Sequence, residues 1–319
     1  MTRAAPPGRQ CCERGRTGAV GLSAAGRTGG AYAAAVDSAR HGKPGTSHSR
    51  VDSGGVGLAV CEAGPRDAPP VILLHGWAQS SRAWRAQLDS PLAQRYRLIA
   101  ADLRGHGDSD VPSVGYTESA AWAGDLAALL DYVGTAAVLL GWSYGGLVIT
   151  DYLRVHGTAR VAGVLLAGAI TELGRGRAGG RIGATMRAAL PAALSADPVV
   201  AEPALRGFVA GLTADPLPSD LAADLTAAAL STPAAVRAAL FDREVDSASL
   251  LAGLDVPATV LHGSRDTVVD PRAGHFAAEL IPGARFASMD CGHAPFLEAP
   301  QEFNGHLAEL LSMTASRPR

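Results

Sequence analysis

The sequence predicts an α/β architecture in which a mostly parallel central sheet is flanked by helices, and three observations carry that expectation. Apolar residues come in short unbroken runs, such as Val71-Ile72-Leu73-Leu74 and Val161-Ala162-Gly163-Val164-Leu165-Leu166-Ala167, the pattern of strands covered on both faces. Segments with helical spacing lie between these runs, and strands alternating with helices build parallel sheets through right-handed crossovers. Polar and glycine-rich motifs follow the runs directly, where such a sheet presents ligands at the carboxyl ends of its strands.

The strand series opens with Val56 to Cys61 and continues with Val71 to Leu74, which ends in His75-Gly76-Trp77. Ser81 to Ser90 has helical spacing, with Trp84 and Leu88 four apart. Arg97 to Ala101 is the next buried strand and leads into a turn-rich stretch from Asp102 to Ser109. Thr117 to Val133 is a helix with Trp122, Leu126, Leu129 and Leu130 on one face. Val138-Leu139-Leu140 reads as a strand ending in Gly141-Trp142-Ser143-Tyr144-Gly145, a helical pattern runs from Leu147 to Val155, and the strand Val161 to Ala167 follows. From about 170 to 255 there is no convincing strand, only Ala- and Leu-rich helical segments separated by Pro191, Pro198, Pro203, Pro216, Pro218 and Pro233. This predicts an inserted helical cap, whose start at Gly174 to Gly183 is a hinge or an ordinary surface loop. The strand rhythm resumes at Pro257 to Leu261, running into His262-Gly263-Ser264-Arg265-Asp266. A helix from Pro271 to Leu280, a strand from Ala284 to Met289, the turn Asp290-Cys291-Gly292-His293 and a closing helix from Pro300 to Ser312 complete the chain.

The expected organisation is therefore an α/β core at 51–169 and 256–319, a helical cap at 170–255, and an N-terminal extension at 1–50 that is disordered or begins at a start codon placed too far upstream. An Arg-rich transit peptide is the alternative for that extension. With 319 residues, 47% apolar and 18% charged, the chain has the composition of a soluble globular protein. A net charge of −2 argues against nucleic-acid or membrane partners, although residues 1–50 carry +6 and the remainder −8. Cys11, Cys12, Cys61 and Cys291 have neither metal-ligand nor disulfide-framework spacing, which fits a reducing compartment. No apolar run reaches the ~18 residues of a membrane span, and no secretory h-region is present. These readings give a cytoplasmic protein with a small-molecule substrate, no cofactor and no metal; the oligomeric state is not encoded in any pattern.

The stretch that concentrates chemistry is Gly141-x-Ser143-x-Gly145 between a strand and a helix. So tight a turn strains the serine's backbone, and glycines on either side remove the bulk that would obstruct it. The hydroxyl of Ser143 is lifted above the sheet, with the backbone N–H of Tyr144 and a helix N-terminus facing any anion that forms there. A serine needs a base that is itself oriented by a carboxylate. Ser143, Asp266 and His293 occur in that order, each a few residues after a predicted strand. Asp270 and Asp290 are competing carboxylates, but Asp266 most closely follows the longest strand in its region.

From about residue 51 to 319 the chain resembles the serine α/β-hydrolases, and is especially similar to their cofactor-free haloperoxidase and esterase branch. The residues that carry this are His75-Gly76-Trp77, Asp102-x-Arg104-Gly105-x-Gly107-x-Ser109, Gly-Trp-Ser-Tyr-Gly-Gly, His262-Gly263-x-x-Asp266 and Gly292-His293. The resemblance implies Ser143 as nucleophile, His293 as general base and later acid, Asp266 as its orienting partner, and the N–H groups of Trp77 and Tyr144 as the oxyanion hole. It also implies that His75 braces the oxyanion loop, while Asp102, Arg104 and Ser109 read as a buried turn network. Trp142, Phe208 and Phe241 are candidate pocket residues.

Ser143 stands where dehalogenase and epoxide hydrolase relatives carry Asp, which argues against those chemistries. Ala78 stands where many haloperoxidase-like members have Pro, which sets this chain apart from peracid formers. Tyr144 stands where most relatives have Met or another residue, and offers a phenol to the substrate from the cap side. The function expected is hydrolysis of a carboxylic ester or lactone of a small to medium, mainly apolar substrate through an acyl-serine intermediate. Perhydrolysis, amide or C–C hydrolysis with the same triad, and a small-molecule receptor with vestigial turnover remain as alternatives.

Overall fold

The computed structural model describes residues 45–315. Eight strands form one sheet in the order β1-β2-β4-β3-β5-β6-β7-β8: β1 Thr46–Ser53, β2 Val56–Ala63, β3 Pro70–Leu74, β4 Arg97–Ala101, β5 Ala137–Trp142, β6 Val161–Ala167, β7 Ala258–Gly263 and β8 Arg285–Met289. From β4 to β8 every pairing is parallel, and β1 and β2 add an antiparallel edge. The parallel strands are the unbroken apolar runs: β3, β4, β5 and β7 are buried at every residue.

Strand β1 corrects the expected boundary at residue 51, because Thr46 to Arg50 are already in the sheet. Its sequence, Thr-Ser-His-Ser-Arg-Val-Asp-Ser, carries one apolar residue, Val51, so no hydrophobic pattern marks it. What fixes it is the turn: Gly54 and Gly55 both have positive φ, the requirement of the two-residue hairpin that pairs Ser53 with Val56. The remainder of the expected extension, residues 1–44, lies outside the described residues.

Helices cover the parallel strands. After β3 a 3₁₀ turn, Ser81–Trp84, runs into the short α1 Arg85–Leu88; α2 Ser119–Val133 precedes β5 and α3 Gly145–His156 follows it. Between β6 and β7 lie α4 Ala184–Ala193, α5 Pro198–Ala210, α6 Ser219–Ser231, α7 Ala234–Ala239 and α8 Ala248–Ala252. Two of the prolines expected to separate helices sit inside them, Pro191 in α4 and Pro203 in α5. Each removes one i→i−4 bond, but the carbonyls released belong to Arg187 and Val199, which are exposed to solvent rather than buried in the core. α9 Pro271–Leu280, α10 Pro295–Glu298 and α11 Pro300–Ala315 close the chain. Among the described residues no helix is long and apolar enough to cross a membrane.

Below the carboxyl end of β5 an aromatic cluster ties distant segments together. The Phe296 ring lies 4.2 Å from Trp84, 4.9 Å from Trp142 and 5.8 Å from Phe303, so the 3₁₀ turn after β3, β5, α10 and α11 share one packing centre.

The strand ends approach so closely that glycine becomes obligatory at the β7 terminus. A Cβ on Gly263 would lie 1.9 Å from the Gly292 carbonyl oxygen. Gly124, on α2, has open space around it. Thermal melts should therefore show Gly263→Ala destabilised by about 3 kcal/mol or left insoluble, whereas Gly124→Ala should gain roughly 0.5–1 kcal/mol from helix propensity.

Candidate active site

Ser143 sits between β5 and α3 at φ 55°, a left-handed conformation that side chains other than glycine rarely adopt. Its amide donates to the Ala167 carbonyl at 3.1 Å, while its own carbonyl accepts from Gly146 at 3.0 Å and from Ile170 at 3.1 Å. A Cβ on Gly141 would meet the Gly145 carbonyl at 2.7 Å, and one on Gly145 would meet the Leu74 carbonyl oxygen at 2.5 Å. Gly76, on the turn after β3, faces Ser143 so closely that a Cβ there would be 2.8 Å from the serine's own. The glycines thus let three chain segments converge on one hydroxyl.

Asp266 follows β7 and His293 follows β8, and the structure brings them together: His293 Nδ1 donates to Asp266 Oδ2 at 2.8 Å. The other carboxylate oxygen accepts the amides of Val268 at 2.8 Å and Val269 at 2.9 Å, which fixes the plane of the group. Burial alone would raise the Asp266 pKa, yet the imidazoles of His293 and His262 outweigh it and hold the carboxyl well below the usual range. His293 Nε2 is buried and has no hydrogen-bond partner among the described residues. Ser143 Oγ and His293 Nε2 are therefore not bonded to each other, a looseness common in ligand-free sites. The competing carboxylates are engaged elsewhere: Asp270 caps α9 and pairs with Arg272, and Asp290 pairs with Arg265.

No backbone carbonyl in the described turns and loops accepts the amide of Trp77 or of Tyr144. The turn that carries Trp77 is braced by two histidines. His75 takes the Leu103 amide on Nε2 at 3.0 Å with Nδ1 against the Gly76 carbonyl at 2.8 Å. His106 takes the Ala78 amide on Nε2 at 3.3 Å, with Nδ1 2.9 Å from the Arg104 carbonyl. Asp102, Arg104 and Ser109 form a buried network: Asp102 accepts the amides of Ser81 and Asp108, Ser109 bonds the Asp102 carbonyl, and Arg104 grips Asp125 at 2.6 and 2.7 Å.

Ser143 opens into an apolar chamber of about 20 Å³ whose walls include Trp77, Tyr144, Ile182, Met186, Phe208 and Phe241. Of the three candidate pocket residues, Phe208 and Phe241 are there and Trp142 is not. Trp142 packs on Phe296, lies with its ring 5.4 Å from that of His293, and donates to the His293 carbonyl at 2.9 Å. Tyr144 also differs from expectation, because its ring lines the chamber but its hydroxyl does not face a ligand. The phenol donates to the Leu240 carbonyl at 3.0 Å and accepts from Arg243 at 2.9 Å, and burial pushes its pKa up.

Arg243 was not singled out by any sequence pattern, and His262 entered only as part of the His262-Gly263-x-x-Asp266 motif, with no role of its own. Arg243 is almost fully buried and pairs with Asp151 on α3 at 2.7 Å, joining the segment after α7 to the helix behind the serine. His262 Nε2 lies 3.1 Å from Asp266 Oδ2, so the carboxylate is shared by two imidazoles. Among the described residues no group of three or more His, Cys, Asp or Glu is arranged to hold a metal ion.

Against known proteins, the alpha/beta hydrolase family matches residues 71–306. The crystal structure of the esterase RhEst1 from Rhodococcus sp. ECU1013 is 47% identical, with a TM-score of 0.78 over 85% of this chain and 99% of its own. A pimeloyl-[acyl-carrier protein] methyl ester esterase of Aromatoleum aromaticum is 33% identical over 247 residues, 73% of this chain and 94% of that protein. A non-heme chloroperoxidase of Streptomyces lividans is 39% identical over 119 residues, 37% of this chain but only 43% of that protein.

Burial pushes His75 down to about 4 and His106 to about 3, from an ordinary value of 6.5. Both are neutral in the folded protein, so below pH 6.5 the unfolded chain binds their protons first. The stability they confer is complete above 6.5 and is lost as pH falls toward 4 and 3. The melting temperature should begin to drop near pH 6.5, and in His106→Asn the slope of stability against pH should be shallower by about one proton.

Proposed function

The chain belongs to the alpha/beta hydrolase family, among enzymes of the carboxylic ester hydrolase type, and on that footing we propose that it cleaves esters or lactones through an acyl-serine intermediate. The observation that carries this reading is the Asp266–His293 pair, whose outer nitrogen is left without a partner, in a chain that also holds Ser143 in a strained turn at the end of β5.

In the proposed reaction His293 Nε2 takes the proton of Ser143 as Oγ bonds to the acyl carbon, and the carbonyl oxygen gathers negative charge against the amides of Trp77 and Tyr144. His293 returns that proton to the leaving alcohol oxygen as the C–O bond breaks. Water then repeats the sequence: His293 accepts its proton, the acyl–serine bond breaks, and Ser143 regains its hydrogen. Asp266 stays ionised throughout, since its pKa is held low, and stabilises the imidazolium through Nδ1. The inserted helices serve as a cap that excludes water, and the apolar walls of the chamber support a small to medium, mainly apolar acyl group.

Perhydrolysis is the weaker reading. Ala78 sits at φ 53°, whereas a proline ring locks φ near −65°, so the proline-shaped loop of peracid-forming relatives does not fit this turn.

Hydrolysis of p-nitrophenyl esters from acetyl to octanoyl tests the proposal directly. Ser143→Ala should lose about 10³-fold or more in kcat with KM little changed, and Asp266→Asn should lose about 10³-fold while still folding. Turnover in Ser143→Ala equal to the parent would rule out the acyl-serine route.

A further inference from the structure

One residue is common to the chamber at Ser143 and the open cleft beside it. Phe241 lines that chamber and also lines a second, open cleft of about 490 Å³, whose other walls are Gly174, Arg175, Asp242, Arg243 and Glu244. The inner space, about 20 Å³, has room for roughly one water and for no acyl group. A wall must give way before an ester reaches the serine. The backbone beside Phe241 is not free to do so: the Leu240 carbonyl holds Tyr144, Arg243 is paired with Asp151, and Val245 exchanges both backbone bonds with Leu173. Phe208, the other phenylalanine of the chamber, is buried and edge-on to Trp77 at 5.1 Å. Of the chamber walls only Phe241 and Ile182 are half-buried, and of these two only Phe241 also lines the cleft, so its side chain is the wall that can swing outward into it.

The two spaces also differ in chemistry. The inner walls are apolar apart from Ser143. At the cleft, Arg243 is neutralised by Asp151, which leaves the exposed Arg175, Asp242 and Glu244 and one negative charge in excess.

We propose that Phe241 is a side-chain gate, and that the cleft outside it is the subsite for the alcohol half of the ester, selecting polar, non-anionic alcohols. The acyl half passes the ring into the apolar chamber. This assignment rests on the ester hydrolase reading, and the gate itself does not.

The test compares Phe241→Ala with Phe208→Ala, which enlarges the chamber without opening it to the cleft. On acetate esters of methanol, glycerol and glycolate, Phe241→Ala should raise kcat/KM for the glyceryl ester relative to the methyl ester by about tenfold, with the octanoyl to acetyl ratio on one alcohol within about twofold of the parent. Phe208→Ala should do the reverse. A shift of acyl preference alone in Phe241→Ala, no shift at all, or glycolate as the favoured alcohol would overturn the subsite. The gate has its own readout, acrylamide quenching of Trp77, isolated by difference from Trp77→Phe in each background. Phe241→Ala should raise the quenching constant several-fold and Phe208→Ala should leave it at the parent value; an unchanged constant in Phe241→Ala overturns the gate. Absence of ester turnover in the parent would remove the subsite along with the hydrolase reading, and quenching would still decide the gate.

Discussion

A serine held at φ 55° on the end of a buried strand imposes conditions on every segment around it. Such a residue persists only where its surroundings over-determine it. Here they do so through main-chain bonds to Ala167, Gly146 and Ile170, which tie β5 to β6 and to the chain leaving β6. The close fit at Gly76, Gly141 and Gly145 then fixes where the turn after β3 and the start of α3 run. Much of the architecture of the carboxyl edge follows from accommodating that one backbone angle.

The electrostatics of the site rest on the same economy of contacts. Asp266 is buried, and without compensation its charge would be unfavourable there. Two amides on one oxygen and two imidazoles on the other provide that compensation, so the carboxylate is rigid as well as ionised. On the far side, the Arg243–Asp151 pair and the Tyr144 phenol bind the end of the inserted helices to α3. The residue following the nucleophile is thereby anchored at both ends, its carbonyl in the first turn of α3 and its hydroxyl in the insertion.

What could be read in the sequence was whatever has a local cause. Buried strands, their succession along the chain and the candidates Ser143, Asp266 and His293 follow from apolar runs and the motifs that end them. β1 was hidden because an edge strand with one buried side has little need of hydrophobic residues, and Val51 is the lone apolar side chain in it. That Trp142 lies outside the chamber was hidden because β5 is buried on both faces, so alternation does not tell its two sides apart. The partners of the Tyr144 hydroxyl, Leu240 and Arg243, are 96 and 99 residues away, beyond the reach of any periodicity. Pro191 and Pro203 misled for a related reason, since whether a proline ends a helix depends on whether the stranded carbonyl meets water.

The crowding at the strand ends also bears on how this chain can change over generations. Some of its tight glycines face side chains: a Cβ on Gly57 would strike Arg50, and one on Gly211 would strike Thr185. A second mutation that trims the neighbour relieves such a conflict, so these sites can drift in pairs. At Gly145, Gly183 and Gly263 the obstacle is the carbonyl of Leu74, Thr267 or Gly292, an atom every amino acid possesses. No substitution elsewhere removes it, and a lineage that loses one of these glycines has no compensating step except to regain it.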